Sequence, residues 1–277
     1  MSGISVLILT LNEELNLSDC IDSCAASDDI VIFDSLSTDR TQDIARARGA
    51  RVVERAFDNY ASQRNAALTA VTYKNPWVLM LDADERITAD LAAEMSDAIS
   101  HVADDVAMFR MRRKDFFMGK WLRRSSGYPS WFGRLVRVGR VRVEREVNEE
   151  YFADGRVEHL RAHLHHYPFN KGVSHWFERH NRYSSMEALA KVDVRRQRLS
   201  PRRMFSTDPI ERRRALKNLL YRLPLRPPII FIYLYFIRLG ICDGRAGFYF
   251  SGMRATYELL IDIKAVEIMR SKRDLAA

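Results

Sequence analysis

Residues 77–86 read WVLMLDADER, an apolar run that ends in a cluster of acids. Because its first residues are apolar without alternation, the run predicts a β-strand buried on both faces, as in a parallel sheet. Asp82 and Asp84 follow at the carboxyl end of this strand, where open α/β sheets bind ligands. They can share Mg²⁺ or Mn²⁺, which prefer oxygen ligands and substrate phosphates. Alternatively, these acids only favour the dipole of a helix that begins at Thr88.

Predicted strands and helices alternate on both sides of this strand. Before it, the patterns indicate strands at 4–10, 29–34 and 51–54 and helices at 16–26, 41–48 and 60–71. After it, a helix is expected from Thr88 to about His101. Alternation with short connections predicts right-handed crossovers. The sequence therefore predicts an α/β fold with a Rossmann-like, mostly parallel sheet flanked by helices.

Polar residues follow three of the predicted strands. The first strand runs into TLNEE at residues 10–14, the second ends on Asp34, and the fourth ends in the acids of DADE. Since the carboxyl ends of parallel strands lie on one edge of a sheet, we expect these side chains around one hollow. Glu13 and Asp34 can accept hydrogen bonds from a base or a ribose, and Arg64 can contact a phosphate.

Neither G-x-G-x-x-G nor G-x-x-x-x-G-K-[ST] occurs in the chain, so the signatures of dinucleotide and P-loop phosphate binding are missing. The remaining hypothesis is an acidic nucleotide site with a bridging divalent cation.

Charge is divided unevenly along the chain. The net charge is +8, yet residues 1–100 hold 17 acids and only 8 bases. Residues 195–226 hold 11 bases against Asp208 and Glu211. This division predicts an acidic pocket in the first half and an anionic partner, either nucleic acid or an anionic membrane, for the second.

Cysteine usage and the amino terminus indicate the compartment. Cys20, Cys24 and Cys242 form no paired framework and no zinc spacing. The first residues lack a basic flank, and their apolar run is too short for a signal peptide. We therefore expect a protein of the reducing cytoplasm, with 277 residues in one large or two small domains.

The pattern changes after residue 105. Residues 106–117 alternate like a strand with one wetted face, and further strands are expected at 134–138 and 141–147 and a helix at 176–191. Aromatic residues crowd among loop-forming glycine and proline, namely Phe116, Phe117, Trp121, Tyr128, Trp131 and Phe132. Such a loop could stack on sugar rings or bases, or it could fold back onto the core.

Residues 227–240 read PPIIFIYLYFIRLG and are densely apolar. The run is shorter than the roughly 20 residues that a membrane-spanning helix needs. Because an arginine-rich stretch precedes it, the run fits a segment lying in the interface of an anionic membrane. A buried core helix or a dimer helix is the alternative, and the basic residues could simply form a solvated face.

Four segments resemble, in order and spacing, the opening motifs of family 2 inverting glycosyltransferases of the GT-A fold: ISVLILTLNEE, IVIFDSLSTDRT, YASQRNAAL and WVLMLDADER. Later segments resemble the lipopolysaccharide-core glucosyltransferase branch: FFMGKWLR, GYPSWFGRLVR, REVNE, LHHY, HNRYSSMEA and DGRAGF. The resemblance covers nearly the whole chain, more diffusely after residue 150. It implies a GT-A-type sheet with a helical, basic C-terminal extension.

The resemblance implies a nucleoside-diphosphate-sugar donor, UDP-linked, on the first hundred residues. Its expected contacts are Thr10, Asn12, Glu13, Asp34, Arg64 and Asp82. A divalent cation, Mg²⁺ or Mn²⁺, would be held by Asp84 with help from Asp82. Members of the family often recruit a later histidine to the metal or pyrophosphate, and His166 in LHHY is the best match.

Transfer with inversion needs a base that takes the proton of the acceptor hydroxyl. The related branch carries Arg-x-Val-His-Glu where this chain has REVNE at residues 145–149. The resemblance therefore implies Glu149 as the base, with Glu146 in reserve. Asn148 departs from the pattern and cannot shuttle protons as histidine does. Either glutamate could instead form a structural ion pair with Arg145.

The aromatic residues Trp121, Tyr128 and Trp131 would then border an acceptor saccharide of the cell surface. The basic, apolar tail would dock on the inner leaflet, where lipid-linked acceptors are built, and the protein could be an oligomer. The expected parts are 1–105 for the donor, 106–192 for the acceptor side and 193–277 for the extension.

Two further functions remain as alternatives. A nucleotidyltransferase also uses acids and a metal, but it usually brings a glycine-rich phosphate loop, which the TLNE turn does not offer. A nucleic-acid-binding protein is suggested by residues 195–226 and a pI near 9.5, although no recognition motif accompanies them. Asn148 also raises the possibility of an inactive scaffold.

Overall fold

The computed structural model describes residues 1, 3–144, 150–196, 212, 215, 219, 222 and 225–274. The chain forms two compact units. The first comprises Met1–Phe116 and Tyr128–Asn170, and the second comprises Phe117–Gly127 and Lys171–Ala277. The functional parts expected at 1–105, 106–192 and 193–277 stay predictions.

The first unit begins with the expected alternation of strands and helices. Its elements up to residue 101 are β1 (Ile4–Thr10), α1 (Leu17–Ser23), β2 (Ile30–Asp34), α2 (Thr41–Ala47), β3 (Arg51–Glu54), α3 (Tyr60–Ala70), β4 (Trp77–Asp82), β5 (Glu85–Arg86) and α4 (Ala89–His101). Asn59 and Thr88 cap α3 and α4 by accepting hydrogen bonds from the backbone N–H groups of Ser62 and Leu91. The strands and helices predicted for this part of the chain are confirmed, with helix ends shifted by a few residues.

Strands of mixed direction complete the first unit. They are β6 (Val106–Phe117), β8 (Trp131–Arg137), β9 (Val141–Glu144), β10 (Glu150–Ala153) and β11 (Arg156–His166), while β7 (Lys120–Trp121) precedes β8 in the chain. The large sheet has the order β3-β2-β1-β4-β8-β6-β11-β5. Its first four strands are parallel, whereas β8 pairs antiparallel with both β4 and β6. The fold is therefore the expected mostly parallel α/β sheet.

The central strands are buried on both faces. Alternate residues of β1 and β4 enter two apolar clusters, one with α1 and α4 around Ile8 and Leu81, the other with α3 around Leu7 and Met80. Burial on both sides explains why these strands carry unalternated apolar sequences. It also fixes the register that brings the strand ends together.

The aromatic stretch from Phe116 to Phe132 is not a single loop, contrary to one expectation. Phe116 and Phe117 end β6, and Trp131 and Phe132 begin β8. Arg112 of β6 pairs with Trp131. The pairing of β6 with β8 therefore begins directly after the stretch that contains the glycine and proline residues. The expected strand at 134–138 therefore starts three residues earlier, and the one at 141–147 is seen as β9, with its last three residues outside the described part.

Helices make up the described core of the second unit. They are α5 (Gly172–Arg196), α6 (Arg226–Ile232) continued by a π-helical turn at Tyr233–Ile237, a 3₁₀ turn at Gly240–Asp243, and α7 (Gly244–Asp274). Small side chains, Ala188 and Ala265 among them, lie where α5 packs on α7. Within the ranges described, no helix is both long enough and apolar enough to cross a membrane.

Asp243 fastens residues 123–125 to the start of α7. Its carboxylate is 3% exposed and accepts hydrogen bonds from the backbone N–H groups of Arg123, Arg124 and Ser125 and from the Ser125 hydroxyl, at 2.8–3.2 Å. Gly247 lies so close that a Cβ there would collide with the carbonyl oxygen of Gly240. The DGRAGF segment is thus a packing and anchoring motif of the second unit.

We expect Asp243→Ala to lower the free energy of unfolding by about 2–4 kcal/mol, because it leaves the buried N–H and hydroxyl of Ser125 and the part-buried N–H groups of Arg123 and Arg124 without their acceptor. The exposed Asp193 of α5 offers the control, and Asp193→Ala should change stability by less than about 0.5 kcal/mol. Urea denaturation followed by circular dichroism measures both. Equal stability of the two variants would show that the anchor contributes nothing.

Candidate active site

The ends of β1 and β2 are joined through Asp34. The two strands pair Thr10 with Asp34, and the Thr10 hydroxyl donates to the Asp34 carboxylate at 2.7 Å. The fully buried Asp34 also accepts from the N–H and hydroxyl of Ser37 at 2.7 and 2.6 Å and from the amide of Gln42 at 2.9 Å. Its carboxylate therefore braces the loop that follows β2.

Hydrogen bonds of Asn12 and Glu13 link the loop after β1 to the residues that follow β2. Asn12 has a left-handed backbone (φ 55°), and its side-chain oxygen accepts from the N–H of Thr38 at 2.8 Å. The N–H of Glu13 donates to the Thr41 hydroxyl at 2.7 Å, and its carboxylate accepts from Asn16 at 2.9 Å. The structure thus brings Thr10, Asn12, Glu13 and Asp34 together as one braced pair of loops.

Asp82 lies beside these loops, because β1 and β4 pair Leu9 with Asp82. Arg64 of α3 donates to one oxygen of Asp82 at 2.8 Å, and Arg134 of β8 donates to the other at 2.7 Å. Burial opposes ionisation, but Arg134 and Arg64 hold the pKa of Asp82 well below its usual range. Asp82 is therefore an ion-paired carboxylate fixed at both oxygens.

Asp84 belongs to a second group of charges on β6 and β11. It lies 3.3 Å from Nε2 of His166, whose Nδ1 lies 2.7 Å from Asp115. Arg113 contacts Asp115 at 3.0 Å and Glu85 at 3.3 Å. Since Arg134 also binds Glu85, at 2.8 Å, the Asp82 and Asp84 groups form one network.

The network shifts the pKa of His166 strongly. Burial and the nearby Arg113 lower it, but Asp84 and Asp115 outweigh them and raise the pKa of His166 to about 9. Burial likewise opposes ionisation of Asp84, yet His166 keeps the pKa of Asp84 below its usual value. At neutral pH the group is therefore an imidazolium held between two carboxylates.

The network is not the acidic pocket that the charge of residues 1–100 predicted. Its carboxylates are balanced by cations from the middle of the chain, chiefly Arg113 and Arg134. The sequence offered one signal for Arg113, since it lies two residues from Asp115 on an alternating strand and so shares its face. The pairing of Arg134 with Asp82 depends on the register between strands and could not be predicted.

A divalent cation fits part of this arrangement. Among the residues that the structure describes, no three His, Cys, Asp or Glu side chains form a ready cation site. Asp82 has both oxygens engaged by arginines, whereas the Asp84 side chain is 17% exposed beside His166. Mg²⁺ commonly takes only one or two carboxylates together with substrate phosphates, so Asp84 and His166 suit such an ion once His166 loses its proton.

The expected acceptor residues lie in different places. Trp131 packs edge-on against His159 at 4.6 Å, and the Tyr128 hydroxyl lies 2.8 Å from Nε2 of His163. Because His163 pairs with Arg112 and His166 with Asp115, these aromatics contact the face of the sheet opposite to the charge network. Trp121 belongs to the second unit, where Arg123 lies over its ring.

The expected base lies outside the described residues. Glu149, Glu146, Asn148 and Arg145 all fall within 145–149, between β9 and β10. Their roles stay predictions from the sequence.

We expect the stability of the metal-free protein to depend on His166 and on pH. Since folding raises the pKa of His166 from 6.5 to about 9, its contribution is complete below pH 6.5 and is lost as pH rises through 9. His166→Gln should cost about 2–3 kcal/mol near pH 6 and much less near pH 9.5. Urea denaturation in the presence of a chelator measures this difference.

His101→Gln, at an exposed histidine of α4, is the matched control for this measurement and should show no such trend. A cost of His166→Gln that does not change with pH would contradict the imidazolium assignment.

The sequence of the chain is similar to those of known glycosyltransferases. The chain is 28% identical to the lipopolysaccharide core biosynthesis glycosyltransferase LpsC of Rhizobium meliloti (strain 1021), over 94% of this chain and 91% of that protein. It is 37% identical to an uncharacterized glycosyltransferase of Rickettsia bellii (strain RML369-C), over 36% of this chain and 32% of that protein.

A similar solved structure is glucosyl-3-phosphoglycerate synthase from Mycobacterium tuberculosis, crystallised with Mn²⁺, UDP and glucosyl-3-phosphoglycerate. It is 24% identical, with a TM-score of 0.35, over 40% of this chain and 44% of that chain. The sequence model of glycosyl transferase family 2 matches residues 5–164, more than half of the chain. The chain therefore belongs to glycosyl transferase family 2, and its α/β sheet is of the GT-A type.

Proposed function

We propose that the protein transfers a hexose from a UDP-sugar to a saccharide acceptor of the lipopolysaccharide core or another cell-surface glycan, with inversion at the anomeric carbon. One observation carries the proposal. The register of β1 with β2 and β4 puts Thr10 beside Asp34 and Leu9 beside Asp82, so the loops that follow all three strands meet at one edge. That edge is where α/β sheets bind nucleotides.

The acceptor class rests on the similarity to LpsC. That protein is named for lipopolysaccharide core biosynthesis, and the similarity extends over nearly the full length of both chains. A donor made in the cytoplasm and an acceptor built at the inner membrane face would place the reaction in the cytoplasm.

The braced loops supply the nucleoside site. Asp34 is saturated by protein donors, so its main task is to hold the loop after β2 in place for the base and ribose. Asn12 and Glu13 lie on the facing loop, which is fixed by its hydrogen bonds to Thr38 and Thr41. Because these loops are already ordered, binding of the nucleoside does not have to be offset by the free-energy cost of ordering them.

The pyrophosphate would lie next to Asp82 and Asp84. Arg64 and Arg134 favour the ionised form of Asp82 and hold both of its oxygens, which suits a carboxylate that accepts from a ribose hydroxyl. Asp84, with His166 beside it, would hold Mg²⁺ or Mn²⁺. Such an ion, when bound, acts as a Lewis acid on the diphosphate.

In the transfer step, the acceptor hydroxyl oxygen forms a bond to the anomeric carbon on the side opposite the diphosphate. The bond from that carbon to the diphosphate oxygen breaks, and its electron pair leaves with UDP. The hydroxyl proton passes to a carboxylate, for which Glu149 is the first candidate and Glu146 the second.

We expect Asp84→Ala to remove the metal-dependent part of donor binding. With wild-type protein, a UDP-sugar at about a hundredfold excess over its Kd should stabilise the native state by ~2.7 kcal/mol, more with Mn²⁺ than with chelator. Thermal-shift measurements with UDP-, GDP- and dTDP-sugars test this. Asp104→Ala, at a fully exposed aspartate, is the control and should keep the Mn²⁺ effect. An unchanged Mn²⁺ effect in Asp84→Ala would contradict the assignment.

We expect Glu149→Gln to reduce kcat at least about a hundredfold, because the acceptor proton then has no base. Donor binding in the thermal-shift assay should be unchanged. Glu146→Gln is the matched variant in the same segment and should lose only a few-fold. Loss of activity in Glu146→Gln alone would move the role to that residue, and full activity of both variants would exclude either as the base.

A further inference from the structure

The second unit presents an exposed apolar surface between residues 225 and 249. No residue of α6 or of the following π-helical turn is buried. Ile237 is 68% exposed, Phe236 53% and Phe248 48%. We call the exposed apolar side chains of residues 225–249 the apolar ridge.

The ridge is continuous across two helices. Phe236 contacts Phe231 at 6.5 Å and Tyr235 at 5.1 Å between ring centroids. Both of those rings contact Phe248 of α7, at 5.8 and 5.6 Å, and Phe248 contacts Tyr249 at 5.7 Å. The aromatic rings therefore support one another while their outer faces meet solvent.

This exposure excludes the core-helix alternative for the described residues of the run at 227–240. A core helix buries its apolar side chains, whereas here they are largely open to solvent. Large contiguous apolar patches on a protein surface mark sites of interaction with a protein or a membrane. The question is therefore what covers the ridge.

Charge identifies the partner. The bases in residues 225–249 are Arg226, Arg238 and Arg245, and the only acid is Asp243. Arg226 is ion-paired with the buried Glu258 at 3.0 Å, so the positive charge at the surface of the ridge comes from the exposed Arg245 and the half-buried Arg238. Asp243 is 3% exposed and accepts hydrogen bonds from backbone N–H groups, so it presents no carboxylate at the surface. In the sequence, the ridge directly follows residues 195–224, with 10 bases against 2 acids.

We propose that the apolar ridge lies in the interface of a bilayer that contains anionic lipids. Apolar and aromatic side chains gain free energy at the boundary between headgroups and acyl chains, and arginines beside them attract lipid phosphates. This goes beyond the proposed sugar transfer and does not depend on it.

A second copy of the chain fits the ridge less well. A two-fold contact through the ridge would set each patch against itself, so the surplus of arginine on one copy would meet the same surplus on the other. An anionic bilayer neutralises that surplus instead. The charge of the ridge therefore favours lipid over self-association.

The first test is co-sedimentation of the full-length protein with vesicles. We expect binding to vesicles of phosphatidylglycerol and phosphatidylethanolamine at low salt, and at least about tenfold weaker binding to pure phosphatidylcholine. Salt at about 0.5 M should also weaken binding, because it screens the attraction to phosphate.

Two double variants distinguish vesicle binding through the ridge from non-specific binding through other exposed apolar side chains. Phe236→Ser with Ile237→Ser should weaken vesicle binding about tenfold or more. The control is Met186→Ser with Leu189→Ser, two side chains of α5 that are 46% and 53% exposed, and it should bind like wild type. Since all four side chains are exposed, thermal melts should show both proteins folded.

A second measurement needs no substitution. Cys242 lies within the ridge and is exposed, whereas Cys20 and Cys24 are buried, so an environment-sensitive maleimide fluorophore labels Cys242 selectively. We expect its emission to shift to the blue when anionic vesicles are added, and not with phosphatidylcholine vesicles.

Three results would overturn the proposal: no vesicle binding at low salt, equal binding by the ridge variant and wild type, or no change in the emission of the label on Cys242 when anionic vesicles are added. Light scattering could give a fourth contrary result. If the wild-type protein is a dimer and the ridge variant is a monomer, the ridge is a surface for self-association. Since none of these readouts involves a sugar donor, they stand apart from the tests of sugar transfer.

Discussion

The position of the Asp82 carboxylate between two arginines is the constraint on which the candidate site depends. Removing a carboxylate from water costs free energy unless it is paired. The Asp82 side chain is only 34% exposed, and Arg64 and Arg134 reach its two oxygens at 2.8 and 2.7 Å. One arginine comes from the helix before β4 and the other from the antiparallel strand beside it. Three elements are thus fixed relative to one another by a single side chain.

This constraint makes the middle of the chain part of the candidate site. Arg134 on β8 and Arg113 on β6 both reach Glu85, and His166 at the end of β11 reaches Asp84. Strands β6, β8 and β11, which all follow residue 105, therefore supply three of the four cations of the network, and Arg64 supplies the fourth. Within the first unit, the acids that follow β4 and the strands after residue 105 form one network of charges.

The sequence predicted the parallel half of the sheet because its signals are local. Apolar runs such as those of β1 and β4, with polar residues directly after them, define both the strands and the edge at which Thr10, Asp34 and Asp82 meet. The pairing of Asp82 with Arg134 was not predictable, because Arg134 reaches Asp82 through strand pairing rather than through proximity in sequence. The start of β8 at Trp131 was missed for a similar reason, since glycine and proline beside it indicated a loop.

The charge balance of the network bears on the chemistry at this edge. The carboxylates of Asp82, Asp84, Glu85 and Asp115 are matched by Arg64, Arg113, Arg134 and a protonated His166. A diphosphate arriving there finds cations that are already paired, and drawing those cations away would leave the buried Glu85 and the carboxylates beside it without partners. A nucleoside diphosphate at this edge therefore needs positive charge of its own, which a divalent cation displacing the proton of His166 would bring.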